Sequence, residues 1–453
     1  MDSNNNTDKV FAKKLYSNFS SSISFDKRLF EEDIQLSIAY SKALHKAKIL
    51  SADEQNKIED GLALILNEIK EEKFEWREDL EDIHMNIESR LHDLIGPLAG
   101  KIHTGKSRND QVTTSLRLYL KNKIVDIKKI IRILEAELVK KAESNLEVIM
   151  PSYTHLQRAQ PILLSHHLMA YFEMLERDYS RFADCQNRMD ELILGSGAVA
   201  GSFYNIDRDL LSKELGFSRI NKNSIDGVSD RDYVIELSTS IATSMMHLSR
   251  LSEELILWSS QEFNFVSLAD NVVTTSSMMP QKRNPDFAEL IRGKFGRILG
   301  SVVSIFTVMK ALPLSYNRDM HEDKESLFDS IDTFLLSINV MSEIIKGCKF
   351  NKNQMNKSSS GNILATDIAD ILTLSGVPFR EAHIIVSNLT NELKKKNKVI
   401  SDLSNGDLEK IIGKDLKIEI DNLISINKRD ITGGTATKRV KKEVEVAKKI
   451  LGI

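Results

Sequence analysis

The sequence predicts an all-α protein, an elongated central bundle of about five long helices with smaller helical domains at its N- and C-terminal ends. Seven prolines occur in 453 residues, none between Pro161 and Pro280 and none after Pro378, so long helices can run unbroken. Apolar residues recur at steps of three and four through polar surroundings, which is the period of a helix face. No alternating apolar and polar pattern of useful length competes, so strands are not expected.

Taken in order, the stretches 31–50 and 52–72 read as short helices before residue 107. The first long helix follows Asp110, where Leu120, Ile124, Ile127, Ile131, Leu134 and Leu138 form a near-heptad stripe. Further long patterns start at Pro161, near Pro285 and at Asp323. Another shows Leu237, Ile241, Leu248, Leu251, Leu255 and Trp258 in the same rhythm, with Ser244 at the missing position. Shorter helices resume after the SSSGN turn at 358–362. The division predicted is an N-terminal helical domain over 1–107, a central bundle and oligomerisation core over 108–358, and a C-terminal helical domain over 359–453.

Charge and cysteine usage narrow the function. With 62 Lys and Arg against 65 Asp and Glu, the formal charge is -3, which argues against a general nucleic-acid binder. Cys185 and Cys348 lie in no CxxC spacing, so neither a disulfide framework nor a thiolate zinc site is expected, and a reducing cytoplasm fits best. The opening residues MDSNNNTDKV lack an apolar core, and no run of 18 apolar residues occurs, so secretion and membrane spanning are not expected. Lys394–Lys396 reads as a solvated helix face, and the adjacent His166 and His167 as packing or interface residues, without a metal site.

Chemistry concentrates in the interruptions between helices: GKIHTGKSRNDQ (100–111), PSYTHLQRAQP (151–161) and TTSSMMPQKRNPD (274–286). Such segments sit at helix ends, where free N–H groups attract carboxylates. Any one Ser, Thr, Asn or Asp there is explained as a cap or turn. Simple caps, however, do not require Lys282 two residues before Asn284, His155 in a second connection, and Arg108-Asn109-Asp110 in a third.

These three segments resemble the signature regions of the fumarase/aspartase superfamily, and HTGKSRNDQ and THLQRAQP resemble the versions found in the argininosuccinate lyase family. SSISFDKRL (21–29), EDIHMNIESRL (81–91), GSGAVAG (195–201), LPLSYNRDMHEDKE (312–325), ATDIADIL (365–372), GVPFREAH (376–383) and GGTATKRV (433–440) resemble that family too, in order along nearly the whole chain. The resemblance implies a cofactor-free lyase that cleaves argininosuccinate to arginine and fumarate in arginine biosynthesis, assembled as a homotetramer with sites shared between subunits. A lyase for another substituted succinate such as adenylosuccinate, and a crystallin-like structural protein, are the alternatives.

The difficulty in that reaction is removing a proton beside a carboxylate, which places a second negative charge on that group; donors must meet it. By the resemblance, Ser276 is the general base, with Ser277 its neighbour and alternative, and Lys282 supplies the field that makes a serine basic. His155, paired with Glu289, helps protonate the departing nitrogen. Ser22, Asp82, Arg108, Asn109, Thr154, Asn284, Tyr316, His321 and Lys324 are the implied substrate contacts, Arg108 and Lys324 for carboxylates and Asp82 for a cationic end. His84 and His103 stand next to these contacts. Thr275, Lys106 and His321 depart from the family pattern, and only His321, where glutamine is usual, falls on a substrate contact.

Overall fold

The structure, a computed structural model of the chain, describes residues 15–16, 19–412 and 419–453. The polar residues 1–10, on which the reading of the N-terminus rests, lie outside the described residues. Among the described residues five long helices form: α1 (Arg108–Glu143), α2 (Leu164–Met189), α3 (Asp232–Ser259), α4 (Asp286–Met309) and α5 (Glu325–Gly347). The six apolar side chains of the α1 stripe are each 0% exposed. Those of the α3 stripe are buried as well, and so is Ser244. At about 1.5–3 kcal/mol per buried aliphatic side chain, these stripes are strong reasons for both helices to stay where they are. They are consumed in the chain's own core and offer no surface for assembly.

One expectation fails locally. The helix predicted from Pro161 starts at Leu164, and the segment before it is an antiparallel hairpin of β1 (Ile149–Thr154) and β2 (Gln157–Leu163). Pro161 faces Pro151 across the pair, and a β-bulge lies between Pro151 and Tyr153. Two prolines that lack donors are tolerated here because both strands of a two-stranded hairpin are edges, and the bulge beside them interrupts the ladder further. The fold remains all-α, with the other strands two residues long.

The chain forms two compact units. The first gathers the described residues up to 128, with 179–243 and 296–335. Its N-terminal helices Phe30–Lys46, Ala52–Lys70 and Ile83–Ile95 close on Ile34, Tyr40, Leu44, Ile58, Leu62, Ile65, Ile87 and Leu91. Ser51 and Glu54 form a reciprocal capping box at the start of the second of these. In the same unit, the Phe182 ring stacks on Phe334 at 5.9 Å and Tyr119 meets Phe328 edge-on at 5.3 Å, tying α1 and α2 to α5.

The second unit gathers residues 129–178 and 244–295 and the described residues from 336 onward. Buried Asp178 on α2 takes the His247 ring of α3 at 2.8 Å, and Glu254 of α3 takes His167 at 2.6 Å and Tyr171 at 2.8 Å. The C-terminal helices Ala365–Leu374 and Phe379–Lys395 pack through Ile368, Leu372, Val386, Leu389 and Leu393. No helix among the described residues is long and apolar enough to cross a membrane.

Candidate active site

The first unit holds Ser22, Asp82, Arg108, Asn109, Tyr316, His321 and Lys324. Asp82 caps the helix Ile83–Ile95, accepting the Met85 N–H at 2.7 Å. Arg108 opens α1, and its guanidinium stands 3.6 Å from both Asp82 and Glu88. Buried Ser22 donates to Asp26 at 2.5 Å, and the other Asp26 oxygen accepts the Ile83 N–H at 3.2 Å. Burial raises the Asp26 pKa above its ordinary value.

Lys324 donates to Asp323 at 2.6 Å, and the same buried carboxylate accepts from Arg231. Burial alone would raise the Asp323 pKa, but the two cations outweigh it and hold the pKa down. Burial raises the Tyr316 phenol. His321 lies edge-on to Phe25 with ring centroids 6.2 Å apart, and its buried Nε2 has no hydrogen-bond partner. Burial, then Lys324 and Arg318, push its pKa down, so the ring is neutral at pH 7.

Asp110, beside the expected Arg108 and Asn109, is a residue whose part the sequence reading missed. Its carboxylate accepts N–H groups from Ser107 at 2.9 Å, Gly195 at 3.0 Å and Gly197 at 2.8 Å. Burial pushes it up to about 6. The GSGAVAG loop is therefore an anchor for Asp110, and these two amides are not free for another anion. Gly197 sits at φ +59°, where a Cβ would meet the Gly201 carbonyl oxygen at 2.7 Å, so only glycine fits. Asp26 and Asp323 were missed too, although Asp26 follows Ser22 by four residues and Asp323 precedes Lys324.

The second unit holds Thr154, His155, Ser276, Lys282, Asn284 and Glu289. Thr154 faces Gln157 across the end of the hairpin, leaving His155 and Leu156 as its two-residue turn at φ +53° and +56°. This is the backbone of a type I′ turn, which Asn-Gly fills easily; left-handed non-glycine residues cost on the order of 1–2 kcal/mol each. The turn leaves His155 exposed at its tip. Ser152 locks the hairpin, donating to the Gln160 carbonyl at 2.7 Å and accepting the Gln160 N–H at 3.0 Å.

The third signature segment is a second small hairpin, β3 (Thr274–Thr275) against β4 (Arg283–Asn284). Its ends are tied by the Thr274 hydroxyl to Asp286, and by Arg283 to the Leu268 carbonyl at 2.8 Å and Asp270 at 2.6 Å. Inside the loop the Ser276 N–H donates to the Lys282 carbonyl at 3.3 Å. The Ser276 hydroxyl oxygen accepts the N–H groups of Met278 at 3.2 Å and Met279 at 3.0 Å. Ser276 is half-buried, whereas Ser277, Lys282 and Met278 are exposed. Glu289 lies exposed in the first turn of α4, and within the chain no hydrogen bond joins it to His155. A cavity of about 580 Å³ beside β2, lined by Tyr153, Arg158, Glu262 and Phe263, includes none of the expected catalytic residues.

Comparison with known proteins places this arrangement. A family model described as lyase matches residues 7–300. A solved EDDS lyase in complex with formate superposes with a TM-score of 0.83 at 27% identity, covering 94% of this chain and 87% of that one. A class II fumarase from Schistosoma mansoni superposes with a TM-score of 0.75 at 16% identity, over 88% of this chain and 93% of the other, and so shares the fold. These matches define a lyase, with the fold that the fumarase shares. A second family model, argininosuccinate lyase C-terminal, matches residues 362–428. The argininosuccinate lyase of Ruminiclostridium cellulolyticum is 49% identical over 448 residues, 97% of this chain and 98% of its own; that of Bacillus subtilis is 47% identical over 440 residues, 96% and 95%. The chain belongs to the argininosuccinate lyase family.

Proposed function

We infer that the protein is a carbon–nitrogen lyase that cleaves argininosuccinate to arginine and fumarate by reversible elimination, a step of arginine biosynthesis. Ser276 as alkoxide takes the proton from the carbon beside a succinyl carboxylate; the electron pair forms the new carbon–carbon double bond as the neighbouring carbon–nitrogen bond breaks. The guanidino nitrogen leaves with that bond's electrons and takes a proton with help from His155, whose basicity Glu289 supports. Lys282 and Asn284 meet the charge that builds on the carboxylate. Arg108 and Lys324 hold carboxylates and Asp82 a cationic end, while Ser22, Asn109, Thr154, Tyr316 and His321 complete the substrate contacts.

The observation that carries this reading is the Ser276 hydroxyl oxygen, which receives two backbone N–H bonds in the loop that also contains Lys282. Hydrogen bonds donated to the charged form favour it, so an alkoxide there is easier to make than on a free serine. Ser277 receives no such pair. Formation of fumarate, followed by its absorbance with argininosuccinate and with adenylosuccinate offered separately, tests the reading. No fumarate from argininosuccinate would refute it, and fumarate from adenylosuccinate alone would give the alternative its place.

The protein works as a cytoplasmic homotetramer whose sites combine residues of several chains. Two free buried cysteines suit a reducing compartment. In support of assembly, α4 exposes Leu299, Val303 and Phe306 on one helix, and Gly296 and Gly300 have nothing within 4 Å of an added Cβ. Apolar side chains beside open glycines suit close approach of another helix.

A further inference from the structure

Beneath the substrate contacts of the first unit lies a buried group that neither the signature motifs nor the elimination chemistry uses. Asp33, on the helix Phe30–Lys46, is 1% exposed. One of its oxygens, Oδ1, takes the His84 ring nitrogen Nδ1 at 2.7 Å and the Gln111 side-chain amide at 2.7 Å. His84 and Gln111 are themselves buried, at 2% and 3%. They belong to different motifs: His84 is two residues beyond Asp82 in the helix Ile83–Ile95, and Gln111 is three beyond Arg108 in α1. The Arg108 guanidinium also touches the Gln111 side-chain oxygen at 3.4 Å.

We propose that Asp33 is a positioning residue that sets the distance between Asp82 and Arg108, and thereby the affinity of the site for its substrate, without touching the substrate itself. It rests on the assignment of Asp82 and Arg108 as substrate contacts. The direct contact between those two residues is only 3.6 Å, too long to fix their geometry alone. The path through His84, Asp33 and Gln111 consists of two short charge-assisted hydrogen bonds inside the core, and such bonds are stiff because a shifted partner would leave a buried charge unmet. Against the effect of burial, the attraction and hydrogen bond of His84, the Lys106 ammonium and the Gln111 hydrogen bond hold the Asp33 pKa at about 2, so the carboxylate stays ionised through the working range. With Asp33 ionised, His84 keeps its Nδ1 proton as donor, which fixes the tautomer of a ring two residues from Asp82.

The test uses the full-length protein. Asp33→Asn keeps size but loses the charge; KM for argininosuccinate should rise tenfold or more while kcat changes less than about threefold. A strut acting through Asp82 also predicts that Asp33→Asn adds little to Asp82→Asn in a double-mutant cycle, and that Asp33→Glu does not restore KM because it displaces both partners. Should Asp33→Asn not fold, Gln111→Met, which cuts one arm and leaves the Asp33–His84 pair, must still raise KM more than it lowers kcat. A lower melting temperature with KM unchanged, or additive losses in the cycle, overturns the proposal. Wild-type protein that forms no fumarate would instead overturn the assigned reaction, so the two failures are distinct.

Discussion

The Ser276 hydroxyl oxygen accepts the backbone N–H of Met279 at 3.0 Å. Together with the Met278 N–H at 3.2 Å, this makes a small nest of positive charge at one of two adjacent serines. Bare sequence logic cannot separate Ser276 from Ser277; the loop's geometry gives a physical reason to.

Ser276→Ala should therefore lose at least about a thousandfold in kcat while still binding substrate, in line with removal of a general base and its contacts. Ser277→Ala should stay close to wild type. Turnover of each variant, with binding of argininosuccinate measured separately, checks both halves, and the reverse pattern would transfer the role to Ser277.

Assembly gives the next expectation. His155 stands at an exposed hairpin tip and Glu289 in an exposed helix turn, with no hydrogen bond between them inside one chain. If the pair forms between chains, inactive His155→Asn and Ser276→Ala proteins, denatured together and refolded, should regain part of the wild-type activity, because some mixed sites receive both intact residues. Verified mixed tetramers without any recovery would rule out shared sites.

A buried acid of α1 predicts a pH dependence of stability. Glu135 is 0% exposed; one oxygen accepts from Arg132 at 2.7 Å and the other has no partner. Burial pushes its pKa up to about 8, with Arg132 opposing. A carboxyl whose pKa is higher folded than unfolded stabilises fully below the unfolded value, near 4.3, and loses that contribution as pH rises to the folded one. Glu135→Gln, which mimics the protonated acid, should be more stable than wild type at pH 8.5 by about 2 kcal/mol or more, on a scale of about 1.4 kcal/mol per pKa unit. The melting-temperature gap between the two proteins should shrink toward pH 5; an equal gap at both pH values would contradict the assignment.

Much of the architecture was legible in the sequence because it is periodic. The α1 and α3 stripes name buried residues one by one, and the long helices begin within a few residues of the expected places. The hairpin at 149–163 was not legible, since its turn is His155-Leu156, with none of the Asn or Gly that normally announces positive φ. Partnerships across long separations were equally hidden: Asp110 with Gly195 and Gly197, Arg231 with Asp323, and Asp33 with His84 and Gln111. No local pattern encodes them, because each depends on how separate helices pack. The carboxylates themselves stood in view beside the motifs; what the sequence lacked was their partners.

His321 yields the last expectation, from a residue that stands where glutamine is usual. Its Nε2 is buried without a partner, and the groups around it are Lys324 and Arg318 on the cationic side and Asp323 and Glu322 on the anionic side. Burial is the first cause of its lowered pKa and the two cations the next, so the ring titrates on the acid side of 6.5 and is neutral at pH 7. Arg318 already engages Glu81 at 2.5 Å, and Lys324 engages Asp323 at 2.6 Å. An imidazolium at His321 is then an added charge facing whatever end of the substrate lies against it. Protonation strengthens a contact with a carboxylate and weakens one with an ammonium, so the sign of the effect reports which end that is. The kcat/KM profile of the wild type should carry an extra ionisation below about pH 6.5 that His321→Gln removes, since glutamine cannot titrate there. The kcat profile should change much less, because the proton-transfer groups are untouched. Both proteins would be measured from about pH 5.5 to 8.5 at fixed ionic strength. Superimposable kcat/KM profiles would show that the imidazole does not face the substrate.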